Sequence, residues 1–160
     1  MTEKIVGIPD EAVLSKIFQI RSEKVMLDRD LAELYGVETR AFNQAAKRNL
    51  DRFPEKFMFQ LTPEEVEDIV SQNVIPSKQI LGGAFPRVFT EHGVLMLSNV
   101  LKSKSAIKMS IRNIEMFVLL REMVLLHKDV WVLVEQVEKR LMKQDQKIEV
   151  LFSYLNKVYG

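Results

Sequence analysis

The sequence predicts an α+β fold: a helix-turn-helix-like unit with a small antiparallel sheet, followed by a long C-terminal helix that forms a coiled coil. Three observations carry this. The stretch "DRDLAELYGVETRAFNQAAKRN", Asp28–Asn49, reads as a helix, a tight turn at Gly36-Val37 and a second helix. "RFPEKFMFQL" alternates as a strand does, with Phe57, Phe59 and Leu61 on one side and Met58 and Gln60 on the other. From Val130 to Val158, apolar positions recur at alternating spacings of four and three.

Composition narrows the class. The chain has 160 residues, 47% hydrophobic and 28% charged, as in an ordinary globular protein with one substantial core. It has no Cys, which excludes a disulfide framework and thiolate metal sites and favours a reducing compartment. No apolar run reaches the roughly 18 residues of a membrane span. "MTEKIVGIPDEAV" lacks the basic-then-apolar layout of a signal peptide, so the expected location is the cytoplasm. The net charge of +1 is unevenly spread. Residues 61–76 carry Glu64, Glu65, Glu67 and Asp68 with no Lys or Arg, whereas residues 77–127 carry a net +4. A nucleic-acid partner would be met by local basic patches.

The elements follow in order. Residues 1–16 are a mixed N-terminal segment, and residues 17–127 form the main domain. Two β-prone runs, Ile17–Arg21 and Val25–Leu27, flank Ser22-Glu23-Lys24 and predict a hairpin. In the first helix of the opening stretch, Asp28 is placed as N-cap, Leu31, Leu34 and Tyr35 are apolar, and Gly36 is placed to end the helix in the left-handed conformation. Pro54 stops the second helix ahead of the strand. In "TPEEVEDIV", Thr62 caps a helix, Pro63 takes its first position and Glu65 closes a capping box. "NVIPSKQILGGAFPR" reads as a loop, either a plain connector or a tip that reaches a ligand. Arg87–Phe89 is a short extended entry to a helix capped by Thr90. A break near Ser103–Ser105 precedes a long helix, Ala106–His127.

Residues 128–160 form the C-terminal dimerisation helix. Its seam is Val130, Val134, Val137, Leu141, Gln144, Ile148, Leu151, Leu155 and Val158. With Val134 at position a, Gln144 falls at d, Arg140 at g and Asp145 at the next e, where a parallel dimer could pair them. Trp131, Leu133 and Phe152 widen the apolar face, which keeps open a helix that folds back on its own chain.

The second helix of the opening stretch carries the functional signal. At 100° per residue, Phe42, Ala45, Ala46 and Leu50 share one arc. The opposite arc holds Arg40, Asn43, Gln44, Lys47 and Arg48, with no acid before Asp51. Arg and Lys bond phosphates or guanine edges, and Asn and Gln make paired bonds to adenine. A plain surface helix would mix Glu among the cations as i,i+4 pairs. Arg52, Lys104 and Lys108 are candidates for further phosphate contacts, and the last two share a stripe with Arg112. The pattern by itself admits both an ordinary helical hairpin and a DNA reader.

Further along the chain, "VMLDRDLAELYGVETRAFNQAAKRN", "RFPEKFMFQLTPEE", "GG", "FTEHGVLMLSNVLKSKSAI" and "FVLLR" stand in one order. In them the chain resembles the phage "ORF-six N-terminal" domain family, a relative of the KilA-N and Bro-N DNA-binding domains. The resemblance runs from about Ile17 to Arg121 and implies DNA binding by a regulator of phage or mobile-element type. Its departures are "GGAFPR", less polar than the family pattern, and Glu115.

Enzyme chemistry finds little footing. His92 and His127 are in no paired metal spacing, and Glu91-His92 fits a helix start. There is no nucleophile elbow and no P-loop. The carboxylates a metal-dependent nuclease would need, Glu64, Glu65, Glu67 and Asp68, surround a helix start. The expectation is a non-enzymatic protein with no catalytic residues, no metal, no cofactor and no small-molecule substrate. Its partners would be duplex DNA and a second copy of itself. The alternative is an antirepressor-like interaction module that works through its C-terminal helix.

Overall fold

A computed structural model describes residues 8–142 and 153–158. The chain forms two compact units, Met1–Val118 and Leu119–Gly160.

The first unit begins with a short helix, α1 (Asp10–Leu14), whose Val13 is buried. Arg112 holds this end in place by donating from Nη2 to the Ile8 carbonyl and to Asp10 Oδ1 at 3.1 Å. Strands β1 (Ile17–Ile20) and β2 (Glu23–Leu27) pair antiparallel, with Ile20 opposite Glu23. Arg21 and Ser22 alone make the turn, both in the left-handed region at φ 52° and 62°. That is the two-residue turn whose twist matches the strands it joins. It lies nearer the N-terminus than the Ser22-Glu23-Lys24 turn read from composition.

Strands β3 (Met58–Gln60) and β4 (Arg87–Thr90) complete an antiparallel sheet of order β1-β2-β4-β3. The Arg87–Phe89 entry is therefore an inner strand. Register sorts the side chains. Leu27, Val88 and Phe59 stand opposite one another on one face, and Met26, Phe89 and Met58 on the other. The first face packs with Ile20 and Val25 against Val66 and Ile69 of α4 (Pro63–Ser71). On the second, the Phe89 ring meets Phe42 at 5.4 Å and Phe53 at 5.6 Å, both edge-on. Because helices cover both faces, Met58 is as buried as Phe59, and only Gln60 of β3 is exposed.

Local chemistry starts and stops the helices. In α4, Thr62 accepts from the Glu65 amide, Glu65 accepts from the Thr62 amide, and Pro63 takes the first position, as the sequence predicts. Arg21 adds a second clamp on Glu65, with Nε to Oε2 at 2.7 Å and Nη2 to Oε1 at 2.8 Å, while its guanidinium lies 4.2 Å from the Phe59 ring centre. These bonds hold the Glu65 carboxyl at about 2, below its ordinary 4.5, with the Arg21 hydrogen bond the main cause. In α5 (Glu91–Val100), Thr90 Oγ1 accepts from the Gly93 amide and donates to the Lys56 carbonyl.

The helix pair of the opening stretch is α2 (Asp28–Tyr35) and α3 (Thr39–Arg48). Gly36 ends α2 at φ 71°; its amide donates to Glu33 O and that of Val37 to Ala32 O. This is the paired-bond termination that a left-handed glycine permits. Asp28 does not cap the helix as the sequence suggests: it is the first helical residue and is buried. Tyr35 reaches Ser110 Oγ at 2.6 Å, and burial pushes its phenol up to about 12.

Helix α6 (Lys104–Met142) has 39 residues, with Ser103 Oγ accepting the Ala106 amide at its start. It runs without interruption past the His127/Lys128 boundary drawn from the sequence. No Gly or Pro lies within it to break it. Its Ala106, Met109, Met116 and Phe117 are buried.

In the second unit, Val130, Val134 and Val137 are exposed, as are Leu155 and Val158 on helical residues 153–158. The remaining seam residues, Gln144, Ile148 and Leu151, lie outside the described residues, as does the side chain of Leu141. Asn156 Nδ2 donates to Glu138 Oε1 at 3.2 Å. In one unbroken helix these residues would stand roughly 27 Å apart. Residues 153–158 therefore do not continue α6 as one straight helix.

Candidate nucleic-acid interface

Helix α3 faces in two directions. Phe42 and Ala46 are buried against the sheet side, as the 100° arc requires. Thr39, Arg40, Asn43, Gln44 and Lys47 line one wall of an open cleft of about 570 Å³. The start of α2 contributes Asp28 and Arg29, and the sheet contributes Gln60 and Arg87, which are partners in the β3–β4 register. The Ile80–Pro86 segment completes the lining with Ile80, Leu81, Ala84, Phe85 and Pro86.

Hydrogen bonds build this cleft. Arg29 Nη1 donates to the Ile80 carbonyl at 2.7 Å, tying the loop to α2. Gln60 Nε2 donates to the Phe85 carbonyl at 3.1 Å, and the Leu61 amide to the Pro86 carbonyl at 2.9 Å. The loop turns at Gly82 and Gly83, both left-handed at φ 61° and 84°. A buried Asp28 fastens the base: Oδ1 accepts the Arg29 amide at 2.7 Å, and Oδ2 accepts Asn43 Nδ2 at 2.9 Å and the Arg87 amide at 3.3 Å. One carboxylate thus joins α2, α3 and β4.

The electrostatics follow from that inventory. Arg29, Arg40, Lys47 and Arg87 are the cations of the lining, and Asp28 is its one acid, already committed to three donors. The helices and the sheet supply the cations of the lining, and the Ile80–Pro86 segment supplies its apolar residues.

The sequence-predicted residues divide. Arg40, Gln44 and Lys47 are exposed and line the cleft together. Asn43 lines it too, but it is half-buried, its amide nitrogen is taken by Asp28, and its Oδ1 is buried with no partner. Its role is to hold the wall. Arg48, Arg52, Lys104 and Lys108 are exposed, and none of them lines the cleft. Arg112, which shares a stripe with Lys104 and Lys108, is engaged with α1. Arg29, Gln60, Phe85 and Arg87 are additions that helical periodicity could not reveal. The one signal for them was the Gly82-Gly83 loop beside a basic residue.

Among the described residues no cluster of His, Asp or Glu is arranged to hold a metal ion, and no helix is long and apolar enough to cross a membrane.

These features define a small α+β domain: an antiparallel sheet between helices, with a short helix pair presenting one polar helical face to a basic cleft. The chain belongs to the ORF6N domain family, whose profile matches residues 15–100. That span takes in the hairpin, α2 to α5 and every residue of the cleft; α6 lies beyond it. No curated protein and no solved structure matches the chain.

Proposed function

We propose that the protein binds DNA through the cleft beside α3 and acts, without a catalytic step, as a transcriptional regulator of phage or mobile-element type in the cytoplasm. The observation that carries this reading is the cleft's charge: four cations around one acid whose oxygens are already bonded. Phosphate contacts supply most of the affinity in such an interface, and Gln44 is free to address a base edge. The resemblance to the ORF-six N-terminal family, taken as a relative of the KilA-N and Bro-N DNA-binding domains, supports the same reading. In this proposal the helical second unit joins two or more copies of the chain, so that two clefts engage one duplex.

The test is duplex binding measured against salt. Arg40→Ala with Lys47→Ala removes two cations from the wall. The expected result is a slope of log affinity against log salt reduced by about two. Arg48→Ala with Arg52→Ala, outside the cleft, serves as the comparison. Equal effects of the two double variants would sink the assignment of the cleft.

A second reading draws on a separate observation. Met123, Leu125, Leu126, Trp131 and Leu133 are exposed together on α6. An apolar surface of that kind suits capture of another regulator, as an antirepressor would do. A protein that pulls down a partner but gives no salt-dependent DNA binding would favour it.

A further inference from the structure

We propose that the cleft receives a single unpaired DNA base, stacked on Phe85, while its phosphates lie along Arg40, Lys47 and Arg87. The proposal rests on the DNA-binding reading and specifies the form of DNA that the site prefers.

The argument starts from Phe85. A phenylalanine ring left in water forgoes a large burial gain, yet Phe85 is 46% exposed. It is not loose. Its own carbonyl is held by Gln60, the next residue's carbonyl by the Leu61 amide, and the start of the segment by Arg29. The protein therefore fixes the backbone that carries an aromatic ring at a cleft whose lining includes four cations. A bare phosphate would use the cations and leave the ring idle. An apolar peptide would use the ring and leave four cations unpaired. A nucleotide uses both, since every base has a face that stacks on an aromatic ring and every link carries a phosphate.

The shape argues for an unpaired base. A helix that reads a paired major groove stands proud and enters a channel about 12 Å wide. Here the polar arc of α3 shares its cleft with the Ile80–Pro86 segment, so the helix does not stand alone. The cleft, at about 570 Å³, is of the size that holds one small ligand, so what enters it from a DNA molecule is a single nucleotide. A base that has left its stack enters such a space, and removing it is easiest at a bulge or in a single strand.

The experiment uses the full chain and four probes: a paired duplex, the same duplex with one unpaired thymine, the corresponding single strand, and thymidine monophosphate as competitor. The expected result is tighter binding of the bulged duplex and the single strand than of the paired duplex. Phe85→Ala should abolish that preference, with a loss of roughly 5- to 150-fold on the bulged probe, the range for removing one aromatic–base stack. Phe85→Trp should keep it. Because the side chain is exposed, an unchanged melting temperature verifies that the variant folds. Equal affinity of the wild type for paired and bulged duplex overturns the stacking proposal and leaves DNA binding intact. So does a Phe85→Ala variant with the preference unaltered. Competition by the monophosphate at micromolar concentration overturns the choice of a DNA strand as the source of the base. Failure of every DNA probe to bind overturns the DNA-binding reading itself.

Discussion

Gly93 sits in the first turn of α5, where the helix meets the backbone of Phe57. A methyl group added there would stand 2.0 Å from the Phe57 carbonyl oxygen, 2.9 Å from its carbon and 3.4 Å from Phe89 Cβ. These first two neighbours are backbone, so no side chain can rotate away. Gly93→Ala must push the helix start and the carbonyl apart by about 1.4 Å, to reach an ordinary contact distance. That carbonyl accepts the Thr90 amide at 3.0 Å and a longer bond from Thr90 Oγ1 at 3.3 Å. Thr90 is 2% exposed, so its amide finds no water on losing this partner, while its hydroxyl keeps the Lys56 carbonyl. One lost bond with an orphaned buried donor costs about 2–4 kcal/mol, before any loss of packing at Phe89. For a domain of this size, the shift in melting temperature should be roughly 10–20 °C. Urea unfolding of Gly93→Ala, followed by circular dichroism, measures the loss directly. A change under about 1 kcal/mol would show that α5 slides without breaking the Phe57–Thr90 bonds, and would refute the tight-contact account. Gly82→Ala is the natural comparison. No atom lies within 4 Å of a methyl there, so its cost should be only the left-handed strain of about 1 kcal/mol.

Two further perturbations probe the clamps. Glu65, held at about 2 by Arg21 and the Thr62 amide, has a folded value below its unfolded one. Its contribution is fully present above about pH 4.5 and is lost as pH falls towards 2. Its side chain is 17% exposed and that of Arg21 37%, so solvent screening reduces the effect to about 1–2 kcal/mol. Burial raises Asp30 and works in the opposite direction, so the measurement is the difference between wild type and Glu65→Gln across pH 2–6, expected to vanish at the acid end. Asp28→Ala leaves three donors without their acceptor in a buried site and should destabilise the fold by about 2–4 kcal/mol. It should also weaken DNA binding at salt concentrations where Asp28→Ala is still folded, because α3 and β4 lose their common anchor; unchanged binding would show that the cleft holds without it.

The parts of this fold that were legible in the sequence are those decided by chemistry between near neighbours. Thr62, Pro63 and Glu65 announce α4 because the capping bonds span three residues. Gly36 announces the end of α2 because few other residues accept φ 71° at low cost. The α3 arc was legible for the same reason: helical geometry alone brings Arg40, Gln44 and Lys47 to one side. Asn43 shows the limit of angular reasoning. It lies on the polar arc, yet a carboxylate 15 residues earlier captures its amide. The inner position of β4 was invisible locally, since Arg87–Thr90 is four residues long and its partners begin at Glu23 and Met58. The Ile80–Pro86 part of the cleft depends on the Arg29–Ile80 bond across 51 residues, which leaves no periodic trace.

The C-terminal region combines both situations, and it yields the last prediction. The heptad register read from Val130 onward also extends backwards along α6. Counting from Val134 at a, Ala106 and Asn113 fall at a and Met109 and Met116 at d, and all four are buried. The same register places Met123 and Val130 at d, and both are exposed, at 51% each. One helical stripe is thus consumed by a core in its first part and uncovered in its second. The uncovered part is wider than a two-stranded seam, because Val124, Leu126, Trp131 and Leu133 occupy the e and g positions and are exposed too. Two-stranded coils put charges at e and g. Apolar residues there predict more than two helices around one axis. Because Asn156 lies beside Glu138, residues 153–158 are at hand to supply the additional helical surface from each chain. The expectation is a bundle in which each copy contributes two helical segments. Sedimentation equilibrium of the full chain should show a self-associating protein. Val130→Lys with Val137→Lys, which places two charges on the seam, should give a monomer whose first unit keeps its melting transition. A wild type that sediments as a monomer at tens of micromolar, or a double variant that associates as before, would refute this assignment of the stripe.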